Sequence, residues 1–165
     1  MTLTEVNSLS RDRFVGMLGW VFEHSPWVAE RSWKERPFAA VEHLHAAMTQ
    51  AVKLAPREEQ LALLRAHPDL GARARMSAAS AGEQSGAGLD RLTPEEFDRF
   101  QRLNAAYKEK FDFPFLFAVK GATKHDILKS LERRLESEAT QKFRKALAQV
   151  FRIARFRLND TIQET

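Results

Sequence analysis

The residues of this chain best suited to chemistry are few, and His67 comes first. It follows Leu61 and Leu64 at helical spacing and meets Pro68, which ends a helix there. An imidazole at a helix end beside a rigid turn is suited to proton transfer. The plainer alternative is a surface or core histidine. His43 and His45 lie two apart on a helix, so they face different directions and cannot share a metal. His24 reads as a dipole partner at a helix C-terminus, and His125 as an exposed first-turn residue. Arg157 continues the apolar stripe Phe143, Leu147, Val150, Ala154, whereas Arg152 and Arg155 fall off it. An inward guanidinium must be paired or bind an anion, unless it snorkels at the helix end. Glu83 and Gln84 sit among small residues, and a Gln amide matches a planar carbonyl or urea-like group. A solvated loop is the alternative there. Together these groups suit an anionic, hydrogen-bond-rich small molecule and acid–base chemistry without a cofactor. The sequence carries no phosphate-binding glycine loop, metal-ligand pair or nucleophile motif.

The elements that position these residues are helices. The chain has 165 residues, 23 of them Ala and only three Ile, a balance that favours helix over strand. Glycine and proline together number 13, too few for the turns of a sandwich or barrel. With no cysteine, disulfides, thiolate-bound metals and thiol catalysis are excluded, and a reducing, cytoplasmic location is expected. No apolar run approaches a membrane span, and neither terminal stretch reads as a targeting signal. Helix starts are expected at Ser10, at Ser25-Pro26 (a cap with proline in the first turn), at Pro37, at Pro56, at the capping box Thr93-Pro94-Glu95-Glu96, near Thr123, and at Ser137. The first carries Phe14, Met17, Leu18, Val21 and Phe22 on one face. Residues 76–90 read as a loop or a weak helix. Residues 111–121 hold four of the twelve Phe around Pro114, so they form a buried non-helical run whose backbone needs partners, a ligand being one possibility. A single all-α domain over 1–165 is expected.

Several stretches stand in a fixed order: FEHSPWVAERSW with RPF at 22–38, HPDLG at 67–71, S-x-x-E-Q-x-x-A-G-L at 80–89, N-x-x-Y-x-x-K-F-x-F-P-F at 104–115, and R-L at 157–158. This ordered set resembles the 2-oxo-4-hydroxy-4-carboxy-5-ureidoimidazoline (OHCU) decarboxylases of urate degradation, over about residues 5–160. The resemblance implies an all-helical fold, a homodimer, and cofactor-independent decarboxylation of OHCU to (S)-allantoin, the third step from urate. It implies His67 as proton donor, with Glu83 and Arg157 catalytic. It also implies substrate contacts from Pro68, Ser80, Gln84, Phe115, Leu116, Phe117, Ala118 and Val119. Asp112 stands where the family often has Gly, which predicts a tilt in the loop behind it.

Two other classes fit part of the pattern. Lys142, Arg144, Lys145, Arg152, Arg155 and Arg157 make a basic final helix, as in a nucleic-acid-binding module. Its charges spread around the helix and the net charge is only +4, so no specific nucleic-acid partner and no membrane partner is expected. A non-catalytic helical interaction domain is the other.

Overall fold

The computed structural model describes residues 1–137 and 141–164, and among them the regular structure is helical. Nine α-helices run in order: α1 (Leu3–Ser8), α2 (Arg11–Leu18), α3 (Trp27–Ser32), α4 (Val41–Lys53), α5 (Arg57–Arg65), α6 (Ala78–Gly86), α7 (Pro94–Phe111), α8 (Lys124–Glu136) and α9 (Lys142–Thr161). The chain forms two compact units, one of Met1–Ala66 with Val150–Thr165, the other of His67–Gln149.

In the first unit α3 packs on α2 and α4. Thr2 opens α1 with a capping box that the sequence reading had not picked out. Ser10 caps α2 as expected, but the helix ends at Leu18. Val21 and Phe22 are buried beyond its end, and Met17 is exposed, so the apolar spacing outruns the helix. His24 sits six residues past that end in a left-handed turn (φ 46°), not at a helix terminus. Ser25 does not cap α3; its hydroxyl donates to the Glu23 carbonyl, 2.8 Å away. Helix α4 starts at Val41 rather than at Pro37, because Phe38 is pinned outside it. The Asn7 side chain accepts from the Phe38 N–H at 2.7 Å and donates to its carbonyl at 2.9 Å. Trp33 donates to the Leu9 carbonyl, and the Arg36 guanidinium lies 3.9 Å from the Trp33 ring. The motif at 22–38 thus locks this unit together. Its two sequence ends also meet: Leu3 donates to the Gln163 carbonyl at 3.1 Å, and Gln163 donates to that of Met1 at 2.9 Å.

In the second unit α7 packs on α8. The Thr93 capping box with Pro94 is present as expected, and the helix start near Thr123 proves to carry a capping box of its own, with Asp126. Ser137 closes α8 instead of opening α9, its hydroxyl donating to the Arg133 carbonyl at 3.0 Å. The small-residue stretch forms α6, capped by Ser77. Helix α7 ends at Asp112, which adopts the left-handed conformation itself (φ 68°, ψ 18°) and donates to Lys108 O at 2.8 Å. This is the conformation glycine favours, which accounts for the glycine usual in the resembling family. Residues 113–119 are then non-helical and mostly buried, a shorter run than the expected 111–121, because Phe111 still belongs to α7 and Lys120 and Gly121 are exposed. Tyr107, Phe111, Phe113 and Phe115 cluster with ring centroids 4.5–6.4 Å apart.

Candidate active site

Two parts of the second unit carry most of the expected site residues. One is the turn after α5. His67 is 8% exposed at its start, and Pro68 is half-buried. The turn is held at successive points by side chains from elsewhere. The Gln84 amide accepts from the Gly71 N–H at 2.9 Å and reaches the Asp69 carbonyl at 3.4 Å. Asn104 donates to the Leu70 carbonyl at 2.8 Å, and Lys108 pairs with the Asp69 carboxylate at 2.7 Å. Gly71 has φ +75° and its Cα faces Leu92 and Phe100, so no larger residue fits without displacement. Backbone groups on both sides of the turn are therefore fixed, and the imidazole leaves a rigid frame.

Helix α6 supplies Ser80, Glu83 and Gln84. As a helix, the S-x-x-E-Q spacing is i, i+3, i+4, which puts all three on one face. Ser80 and Gln84 are buried and Glu83 is half-buried. Gln84 is thus already engaged with the turn through both ends of its amide, which leaves one N–H and one oxygen lone pair to offer a urea-like ligand.

The other part is the Phe-Pro-Phe run. Phe115, Leu116, Ala118 and Val119 are buried and Phe117 is half-buried. Side chains supply partners for its backbone. Arg134 donates to the Leu116 carbonyl at 2.8 Å, and Gln149 accepts from the Ala118 N–H at 2.9 Å. The Arg134 guanidinium sits 5.1 Å from the Phe115 ring and 5.6 Å from that of Phe117, and its burial lowers its pKa. Burial pushes the Tyr107 phenol beside it up to about 12, so the phenol stays protonated at neutral pH.

Arg157 belongs to the first unit. It is 4% exposed and Arg152 is exposed, as the stripe on α9 predicts, but Arg155, expected to face water, is half-buried. Its charge is balanced by Glu23, whose Oε2 lies 2.9 Å from Nη2. Its Nη1 donates to the carbonyls of Trp20 at 3.3 Å and Val21 at 3.2 Å. The guanidinium is therefore paired, and an anionic ligand is not needed to explain its burial. His45, also in this unit, is half-buried with Nε2 2.7 Å from the Phe151 carbonyl. Its burial lowers its pKa, which favours the neutral ring.

Sequence reasoning passed over Asn104, Lys108, Arg134, Gln149 and Glu23. Asn104 was legible as part of a motif but has no chemical signature; its role depends on which carbonyl it meets. No group of three or more His, Asp or Glu among the described residues is arranged to hold a metal ion. No helix among them is long and apolar enough to cross a membrane.

The OHCU decarboxylase family model matches residues 7–159. The 2-oxo-4-hydroxy-4-carboxy-5-ureidoimidazoline decarboxylase of Haloferax volcanii is 49% identical over 158 residues, covering 96% of this chain and 94% of its own. A uric acid degradation bifunctional protein of Bacillus subtilis is 47% identical over 99% of this chain, which spans only 33% of that protein. A crystal structure of (S)-allantoin synthase superposes with a TM-score of 0.81 at 34% identity, over 98% of this chain and 54% of that one. A crystal structure of OHCU decarboxylase in the presence of (S)-allantoin shares the fold, with a TM-score of 0.68 at 20% identity, over 81% of this chain and 89% of that one.

Proposed function

This chain belongs to the OHCU decarboxylase family, and on that premise we propose that it decarboxylates OHCU to (S)-allantoin, the third step in converting urate to allantoin, with no cofactor. The observation that carries this reading is the framed turn. His67 sits in a match that runs from residue 7 to 159, on backbone that Gln84, Asn104 and Lys108 hold in place.

The chemistry asks for positioning and protons. Loss of CO2 leaves an electron pair on the ring carbon that bore the carboxylate. The substrate's conjugated ring imine accepts that pair, so the electron sink lies in the substrate. A proton must then be delivered to one face to set S stereochemistry. His67 is the proposed donor, with Glu83 polarising the hydroxyl and ring. Arg157 is the third catalytic residue. Its pairing with Glu23 supports a role in orienting ring or ureido oxygens over one in gripping the carboxylate, because binding the leaving charge tightly would oppose its loss. Pro68, Ser80, Gln84 and Phe115 to Val119 are the proposed substrate contacts, the phenylalanines offering apolar surface that favours neutral CO2 over carboxylate.

The family match spans residues 7–159, which supports one functional domain over 1–165. A homodimer in the cytoplasm completes the proposal; light scattering checks the first and localisation of a tagged chain the second. For the activity, OHCU is generated in situ from urate by the two preceding enzymes and allantoin is followed by optical activity. His67→Ala and Glu83→Ala are each expected to lower kcat by roughly 100-fold or more. Unchanged rates in both would overturn the assignment.

A further inference from the structure

Arg157 is held by acceptors in the segment that follows α2. Two of its Nη1 bonds end on main-chain carbonyls, those of Trp20 and Val21, and its Nη2 meets the Glu23 carboxylate. Glu23 is 1% exposed, and its own backbone is fixed. The Ser25 hydroxyl donates to its carbonyl, and the next residue, His24, takes the left-handed turn that redirects the chain. A carboxylate this deeply buried is costly unless paired, so the ion pair is a built feature and not a surface contact.

We propose that Glu23 is a positioning residue that sets the charge as well as the orientation of Arg157. Paired with Glu23, the guanidinium is a directional hydrogen-bond donor with its charge balanced. Without that partner it is a full cation. The difference matters for a decarboxylation, because the substrate is anionic and the charge leaves as neutral CO2. A full cation stabilises the bound carboxylate more than the transition state, which tightens binding and raises the barrier. Glu23 therefore trades ground-state affinity for turnover. The inference rests on Arg157 touching substrate.

The test compares Glu23→Gln with Glu23→Asp in the full chain. The probes are allantoate, a ureido carboxylate, and (S)-allantoin, which is neutral. Glu23→Gln keeps the shape and removes the charge. Allantoate is expected to bind on the order of tenfold tighter, (S)-allantoin within about twofold of wild type, and kcat for OHCU to fall by about tenfold. A merely structural role would move both probes alike. Unchanged or weaker allantoate binding by folded Glu23→Gln overturns the proposal. If that variant fails to fold, Glu23→Asp decides. It keeps the charge on a shorter stem, so allantoate should bind within about threefold of wild type while kcat drops through lost orientation. Tenfold tighter allantoate binding, or a wild-type kcat, would overturn it. Arg157→Met separates the two readings: wild-type OHCU turnover there removes Arg157 from the site and overturns this proposal while leaving the activity standing, whereas no OHCU turnover by the wild-type chain defeats the functional assignment itself.

Discussion

Gly71→Ala tests the frame around His67, and its cost can be worked out from two contributions. The backbone at Gly71 has φ +75°, which an L-residue adopts at about 1–2 kcal/mol. A Cβ there would lie 2.9 Å from Leu92 Cδ1 and 3.3 Å from Phe100 Cγ. Leu92 can swing away, but Phe100 is fully buried on α7 and must shift, which costs about 1–3 kcal/mol. The sum is roughly 2–5 kcal/mol, or about 4–20 °C in Tm for a chain of this size. Turnover should fall as well, because the Gly71 N–H that Gln84 holds belongs to the same turn as His67. The control is the same substitution with the opposite sign. Gly16 lies inside α2 with nothing within 4 Å of the added carbon, so Gly16→Ala should stabilise by about 0.5–1 kcal/mol. Both are read by thermal melts followed by circular dichroism, with OHCU turnover on the first. A Gly71→Ala protein melting within about 2 °C of wild type would refute the reasoning, as would one whose stability falls while kcat does not.

The remaining expectations concern single contacts. Gln84→Leu leaves the buried Gly71 N–H without its acceptor and should cost about 1–3 kcal/mol, while Lys108→Met, which breaks a half-exposed ion pair with Asp69, should cost at most about 1 kcal/mol; urea titrations compare them. At the left-handed end of α7, Asp112→Gly should melt at or above wild type and Asp112→Val clearly below it, and equal midpoints would remove the strain argument. The Glu96 carboxyl is pulled down to about 2 by the Lys124 ammonium and by the Thr93 N–H. Its folded pKa lies below its unfolded one, so its contribution is present above about pH 4.5 and lost as pH falls towards 2. The stability gap between wild type and Glu96→Gln should therefore be widest near neutral pH and close in acid, as read by denaturant midpoints across that range.

How much of this was legible in sequence depended on how local the cause was. The stripe on α9 singled out Arg157 as inward because one continuous helix carries the period. Its partner Glu23, 134 residues away, stands in the FEHSPW stretch, but nothing in the sequence links the two, since pairing is a property of the folded first unit. The capping box at Thr93 is complete within four residues and was readable, whereas at Thr123 only the helix start was read and the box with Asp126 was not. The small-residue stretch hid a helix because Gly and Ser weaken helix propensity, and what holds α6 includes the Ser77 cap and the bond from Gly71 to Gln84. At Pro37 local punctuation misled: the Asn7 side chain, 31 residues upstream of Phe38, keeps the chain extended there. The non-helical run around Pro114 was visible, but its backbone partners Arg134 and Gln149 were not.

The first unit is discontinuous in sequence, and this bears on how the chain is made. Leu3, Val41, His45 and Glu23 find their partners in Gln163, Glu164, Phe151 and Arg157, all in the stretch made after His67–Gln149. A ribosome adding about 5–20 residues per second delivers that stretch some 5–20 seconds after residue 66 has been joined. During that interval the opening helices carry apolar faces with no closing segment, and by its end His67–Gln149, contiguous in sequence, is complete. Vectorial synthesis thus favours the His67 unit folding first. It leaves the Arg157 unit as the part of the nascent chain with most need of a chaperone.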